Sequence, residues 1–152
     1  MSLKEYNYYI MRALLTSVFL VVCLSSTSCQ DEFEDSKILD FDSFQVEVPS
    51  NWEKLTLAGY DSQVGGLTNG KDTLYYDYGW YSYHFDKETT ETHVRTETLI
   101  DGKEALIVRP KKKGRGVTGM SVEVDSLNKL SIYGRIKREK TVLRIFDLVR
   151  FE

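Results

Sequence analysis

The chain has 152 residues, of which 41% are hydrophobic and 28% are charged, and its formal net charge is −3. This length predicts one domain of ordinary size and argues against a multidomain architecture. The apolar content excludes a chain that is disordered throughout.

The N-terminus has the features of an export signal. Residues 13–24 read ALLTSVFLVVCL, an uncharged apolar run that follows Arg12 and precedes the small residues 25–28. The run is shorter than the roughly 20 residues that span a bilayer as a helix, and it resembles the core of a signal peptide. We predict a signal peptide over residues 1–28, with Met11 as a candidate true start. A retained transmembrane anchor is the alternative.

Cys29 stands at the end of this segment. Cys23 would be removed with the signal, so the mature chain would carry one thiol and no internal disulfide. The acidic flank QDEFED disfavours the thiolate that a nucleophile needs. These arguments leave covalent lipidation, in which cleavage before Cys29 makes it an acylated N-terminus.

The sequence before Cys29 resembles a bacterial lipobox. Thr27 and Ser28 fit that pattern, and Ser26 stands where leucine is usual, which is similar to the relaxed lipobox of Bacteroidetes. The acidic cluster after the cysteine resembles the tether that directs such lipoproteins to the outer face of the outer membrane; it comprises Asp31, Glu32, Glu34 and Asp35. The resemblance implies a membrane partner through the N-terminal lipid, with the periplasmic face as an alternative location. Ordinary signal-peptidase cleavage after Ser28 is the alternative process.

Residues 29–37 form the predicted tether, and residues 38–152 form a single domain. Its first clear element is DSFQVEVPSNW, in which Phe44, Val46 and Val48 share one face of a half-buried strand. The later stretch DTLYYDYGWYSYHF also favours a strand, because aromatic residues are common in strands.

The C-terminal half predicts two hairpins and a helix. ETHVRTETLIDGKEALIVRP has two strand-like runs around Asp101-Gly102, the favoured pair for a type I′ turn. VTGMSVEVD and KLSIY form a second pair around residues 126–128. In RIKREKTVLRIFDLVRF, Ile136, Leu143 and Phe146 lie near helical spacing, which predicts a helix that leads to a short terminal strand.

These elements define an α+β domain, mostly antiparallel β-sheet with one or two packed helices. FQVEVPSNW, together with the closing helix and strand, is similar to the beginning and end of the PsbP/Mog1-like fold. DSQVGGL, YYDYGWYSY and KEALIVRPKKKGRGVTGM resemble stretches of small Bacteroidetes lipoproteins. The resemblance carries over no catalytic residue and no cofactor.

Two stretches resemble phosphate-binding segments. GGLTNGKD, residues 65–72, follows the spacing of a phosphate-binding loop, but Asp72 replaces the residue that would hold magnesium. We interpret it as a hairpin turn. Nucleotide binding is also unexpected, because an exported protein meets no nucleotide pool. KKKGRG, residues 111–116, could bind phosphate groups of lipopolysaccharide or nucleic acid, but we interpret it as a solvated loop tip. We expect neither a nucleotide nor a nucleic acid as partner.

Catalytic and metal-binding patterns are weak. His84 and His93 could meet Ser82, Ser121 or Asp86 in space, but the chain contains no nucleophile elbow and no metalloprotease spacing. We interpret both histidines as structural or surface residues. We assign no catalytic residue, no metal ligand and no cofactor.

The aromatic block of residues 75–85 is the remaining candidate site. In an unbroken strand, Tyr76 and Trp80 would share one face, but Gly79 predicts a bulge or bend. One face would help to build the core, and the other could stack on sugar rings. The candidate ligand-binding residues are Trp80, Tyr81, Tyr83 and Asp77. We therefore expect an envelope lipoprotein with a non-catalytic role, binding a protein partner or a glycan; an exported hydrolase is the alternative.

Overall fold

A computed structural model describes residues 33–59 and 62–151. The predicted signal peptide, Cys29 and the first part of the acidic tether lie outside the described residues. The first strand begins at Ser36, so the last two residues of the predicted tether belong to the sheet.

The described residues form ten strands and one helix. In chain order these are β1 (Ser36–Asp40), β2 (Phe44–Pro49), β3 (Glu53–Thr56), β4 (Gln63–Thr68), β5 (Thr73–Gly79), β6 (His93–Ile100), β7 (Lys103–Pro110), β8 (Thr118–Glu123), β9 (Lys129–Gly134), α1 (Glu139–Asp147) and β10 (Val149–Phe151). All strand pairs are antiparallel, which confirms the predicted α+β class in its coarse form.

The small sheet has the strand order β1-β2-β10. The predicted alternation of β2 is confirmed, because Phe44, Val46 and Val48 are fully buried and the residues between them are half-buried. β2 pairs with the first and the last described strands, so the small sheet joins the two ends of the domain.

The large sheet has the strand order β3-β4-β5-β9-β8-β7-β6. Its best-predicted part is the β6–β7 hairpin, in which Ile100 lies opposite Lys103. Asp101 has φ 51° and Gly102 has φ 76°, as a type I′ turn requires at both central positions. The predicted β8–β9 pair and the loop tip between β7 and β8 are also confirmed.

The core lies between one face of the large sheet and the layer formed by β2 and α1. The predicted C-terminal helix is confirmed, and its buried side chains are Val142, Ile145 and Phe146. Ile136, predicted to lie on that helix, is buried just before it, and Leu143 is partly buried.

Asp72 links the β4–β5 turn to the segment before the helix. Asn69 Oδ1 accepts hydrogen bonds from the backbone N–H groups of Lys71 and Asp72, which confirms the predicted hairpin turn. The buried carboxylate of Asp72 accepts hydrogen bonds from Lys137 N at 2.7 Å and from Arg138 Nε at 3.3 Å. Asp72, the residue that departs from the phosphate-loop pattern, therefore has a structural role.

Candidate ligand-binding groove

The aromatic block leaves the sheet at Gly79. This residue has φ 145°, a conformation that residues with a side chain rarely adopt, and β5 ends there. The predicted bend is confirmed, so the aromatic block does not continue as one unbroken strand. Trp80 does not share the buried face of Tyr76 but lies in a turn with 60% of its surface exposed.

Residues 80–92, which we name the cover loop, fold back over the face of the large sheet that is opposite the core. Phe85 is fully buried, and its ring lies above Gly119 of β8. A Cβ atom added to Gly119 would lie 2.5 Å from two atoms of the ring, so glycine creates the space that Phe85 fills. The ring also packs edge-on against Tyr83, with 5.0 Å between centroids.

Hydrogen bonds fix the cover loop to the sheet. Ser131 Oγ of β9 donates to the carbonyl oxygen of Tyr83 at 2.7 Å. Arg95 Nη1 of β6 donates to the carbonyl oxygens of Phe85 at 2.9 Å and of Glu88 at 2.7 Å. These bonds attach the loop to two separate strands of the large sheet, so its shape is set before any ligand arrives.

The Tyr83 hydroxyl is engaged inside the loop. It donates to the carboxylate of Glu88, at 3.1 Å from each oxygen, and Glu88 is itself buried. Burial, followed by this hydrogen bond, raises the pKa of Tyr83 above its ordinary value. Tyr83 therefore supports the loop and does not present its hydroxyl to a ligand.

Two adjoining depressions, of about 480 Å³ and 410 Å³, lie beside the cover loop and share His84, Glu123 and Lys129. We name them together the acidic groove. The larger also contains Glu97, Glu104 and Ser121, and the smaller contains Trp80, Asp125, Leu127 and Asn128. The carboxylates outnumber the single lysine, whose Nζ lies 3.1 Å from Glu123 Oε1.

One end of the groove is apolar, and polar groups lie directly beside it. Trp80 and Leu127, both more than half exposed, form an apolar end. Beside them, Asp125 accepts hydrogen bonds from Leu127 N at 2.8 Å and from Asn128 N at 2.9 Å, which fix the β8–β9 turn. The hydrogen bond from the Asn128 side chain, and then that from Leu127 N–H, hold the pKa of Asp125 below its ordinary value. Asp125 is thus a charged acceptor at the rim.

The four predicted ligand-binding residues do not lie together. Trp80 lines the groove, whereas its neighbour Tyr81 is 76% exposed and does not line it. Tyr83 is bound to Glu88, and Asp77 lies on β5 opposite Ser131. Asp77 acts on a neighbouring tyrosine instead: burial, and then the charge of the Asp77 carboxylate, raise the pKa of the Tyr133 hydroxyl above its ordinary value.

The two histidines lie in different environments. His84 lines the groove and makes no hydrogen bond with another described residue. His93 is buried, and its Nδ1 lies 2.8 Å from Thr92 Oγ1. Within residues 33–59 and 62–151, no group of three potential ligands could hold a metal ion.

Most groove residues were not predicted. Glu97, Glu123 and Lys129 come from three different strands, β6, β8 and β9, and only the register of the sheet brings them together. Alternation along each strand could have placed each residue on a face, but not in a common groove. A separate depression of about 410 Å³ is lined by Lys71, Tyr75, Tyr133 and Arg135 among others and shares no residue with the acidic groove.

A scan against protein-family models found no match, and a search of curated proteins found none either. In the described part of the chain, no helix has the length and apolar character needed to cross a membrane.

Proposed function

We propose that this protein is a lipid-anchored component of the cell envelope that binds a glycan in the acidic groove without cleaving it. The observation that carries the proposal is the exposed indole of Trp80 at one end of a depression whose other polar groups are two carboxylates, an amide, an amine, an imidazole and a hydroxyl. The groove is concave and preformed, as small-ligand sites usually are.

The chemistry of the groove suits a sugar. The flat face of an indole packs against the C–H groups of a sugar ring, and its N–H remains available as a donor. Glu123 and Asp125 accept hydrogen bonds from hydroxyl groups, and Asn128, whose amide nitrogen already donates to Asp125, offers its amide oxygen as a further acceptor. A glycan that crosses from Trp80 to Ser121 would meet apolar contacts at the Trp80 end and polar groups such as Glu123 farther along.

The N-terminal sequence supports the envelope location. The apolar run after Arg12, the small residues before Cys29 and the acidic residues after it are the features that we interpret as an export signal and a lipidation site. An outer-membrane location facing the medium is the favoured form of this proposal. It gives the groove access to external glycans.

A relationship to the PsbP/Mog1-like fold stays part of the proposal. Its support is that β2, which contains FQVEVP, pairs directly with the terminal strand β10 that follows the helix. The two segments that carry the resemblance are therefore neighbours in one sheet.

A glycan array tests the binding proposal. The full chain in detergent is applied beside Trp80→Ala, and Tyr81→Ala serves as the matched control because Tyr81 is also an exposed aromatic residue but lies outside the groove. Loss of one stacking contact of about 1.4 kcal/mol predicts an approximately tenfold weaker signal for Trp80→Ala. Tyr81→Ala should bind like the parent chain.

Three outcomes would count against the proposal. If the parent chain retains no glycan, sugar binding is wrong. If both substitutions weaken binding equally, the site lies elsewhere. If the bound glycan is cleaved over time, the exported hydrolase replaces the binding protein.

A further inference from the structure

We infer that two copies of this chain associate through β6, which pairs with β6 of the second copy as antiparallel strands about a two-fold axis at Thr96. This inference concerns the edge of the large sheet and does not depend on glycan binding, although Glu97 of this edge also lines the larger depression of the acidic groove. It rests on the exposure of β6, on the direction of its backbone groups and on its charges.

β6 is an unusually open edge strand. It is the outermost strand of the large sheet, it has eight residues, and the six residues between His93 and Ile100 are exposed on both faces. Val94 and Leu99 are 41% and 65% exposed. The strand contains no proline, lysine or bulge, three of the features that prevent edge pairing, and its charged residues are one arginine and one glutamate, Arg95 and Glu97. The opposite edge β3 has only four residues and carries Lys54.

The hairpin register fixes which backbone groups of β6 are free to pair. Ile100 and Lys103 close a two-residue turn, so they exchange hydrogen bonds, and the same pattern recurs at every second residue. Thr98 and Thr96 therefore direct their backbone groups toward β7. The backbone N–H and C=O groups of Arg95, Glu97 and Leu99 point away from the sheet, where they can form hydrogen bonds with a second strand.

The charges select one register. Opposed residues must lie on the same face, so a two-fold axis passes through a residue of the strand. An axis at Arg95 or at Glu97 would place like charges opposite each other. An axis at Thr96 places Arg95 of each copy opposite Glu97 of the other, at a position where the outward backbone groups also exchange hydrogen bonds. Directly opposed residues of opposite charge stabilise antiparallel pairs.

Neither charge is neutralised within the described part of the chain. Glu97 forms no ion pair with a described residue. Arg95 uses Nη1 for two uncharged carbonyl oxygens, which hold its side chain on the same face as Glu97. Both residues are exposed, and the pairing would give each charge an ionic partner that it lacks among the described residues.

Disulfide cross-linking tests this register. In the proposed dimer Thr96 faces Thr96 of the second copy at about 4.5 Å between Cα atoms, a separation that a disulfide spans. Thr98→Cys is the matched control, because its two copies would lie about 13 Å apart, given about 3.3 Å per residue. In membranes that contain the full chain, mild oxidation of Thr96→Cys should give at least about five times more disulfide-linked homodimer than Thr98→Cys or the parent chain.

Charge reversal tests the selection of the register. Adding Glu97→Lys to Thr96→Cys places lysine opposite Arg95 and should lower the homodimer yield about fivefold, by like-charge repulsion. Glu104→Lys is the matched control, since Glu104 is an exposed carboxylate on β7 that does not face the second copy. Equal yields from Thr96→Cys and Thr98→Cys, equal effects of the two reversals, or cross-links only to another protein would each overturn the inference.

Discussion

At the scale of single residues, one packing contact decides the shape of the candidate site. Phe85 has φ 56°, a left-handed conformation that costs about 1–3 kcal/mol in a bulky residue and persists only where the surroundings enforce it. Two kinds of contact enforce this conformation. The Phe85 ring packs above Gly119, and the backbone carbonyl groups of the cover loop accept hydrogen bonds from Arg95 and Ser131. The backbone strain is therefore offset by burial of an aromatic ring, and the cover loop is fixed as a result.

Gly119→Ala should displace the Phe85 ring. The new Cβ would lie 2.5 Å from two ring atoms, so the ring or β8 must move, and overpacking of this kind costs about 1–3 kcal/mol. Urea denaturation of the variant should show a lower transition midpoint. Phe85→Leu in the alanine background is the control, because the smaller side chain relieves the overlap and the two losses should be less than additive. Strictly additive losses would show that the two residues do not compete for space.

At the scale of elements, local patterns predict more of this fold than of its site. The alternation of β2 and the Asp101-Gly102 turn depend on neighbouring residues, and both are confirmed. The end of β5 at Gly79 was foreseen as a bend, but the path of the chain beyond it was not. That path depends on the contact between Phe85 and Gly119. These residues are 34 positions apart in the sequence, so no local pattern predicts their contact.

The turn of the β6–β7 hairpin also connects the two sheets. Asp101 Oδ2 accepts a hydrogen bond from the backbone N–H of Phe151 in β10 at 2.9 Å. Its other oxygen lies 3.9 Å from Arg150 Nε. A turn that was predicted only as a local element therefore also holds the terminal strand, which the sequence offered no means to foresee.

Gly102→Ala should weaken this hairpin through backbone strain alone. An added Cβ would have no atom within 4 Å, but the φ of 76° is unfavourable for alanine by about 1–2 kcal/mol. Gly102→Asn is the matched control, because asparagine tolerates the left-handed conformation better. We expect denaturation midpoints in the order glycine, asparagine, alanine. Equal midpoints for asparagine and alanine would mean that the turn relaxes to another conformation.

At the scale of the whole molecule, the two faces of the large sheet have separate tasks. One face buries its apolar side chains against β2 and α1, and the other carries the cover loop and the acidic groove. β1, the strand nearest Cys29 in sequence, belongs to the small sheet on the core side. In the β6-paired dimer both grooves lie on the same face, so two weak sites can act together on one glycan chain.

Cys29→Ala should separate anchoring from binding. Lipidated chains should sediment with membranes and show acyl mass on the N-terminal peptide, because two or more acyl chains give stable attachment. Cys29→Ala should lose that mass and leave the membrane fraction, yet keep its glycan-array signal, since the groove is built from residues of the large sheet and the cover loop. Cys23→Ala is the matched control and should remain anchored, because the predicted cleavage removes residue 23. An unchanged peptide mass and location for Cys29→Ala would favour ordinary cleavage after Ser28 or a retained anchor.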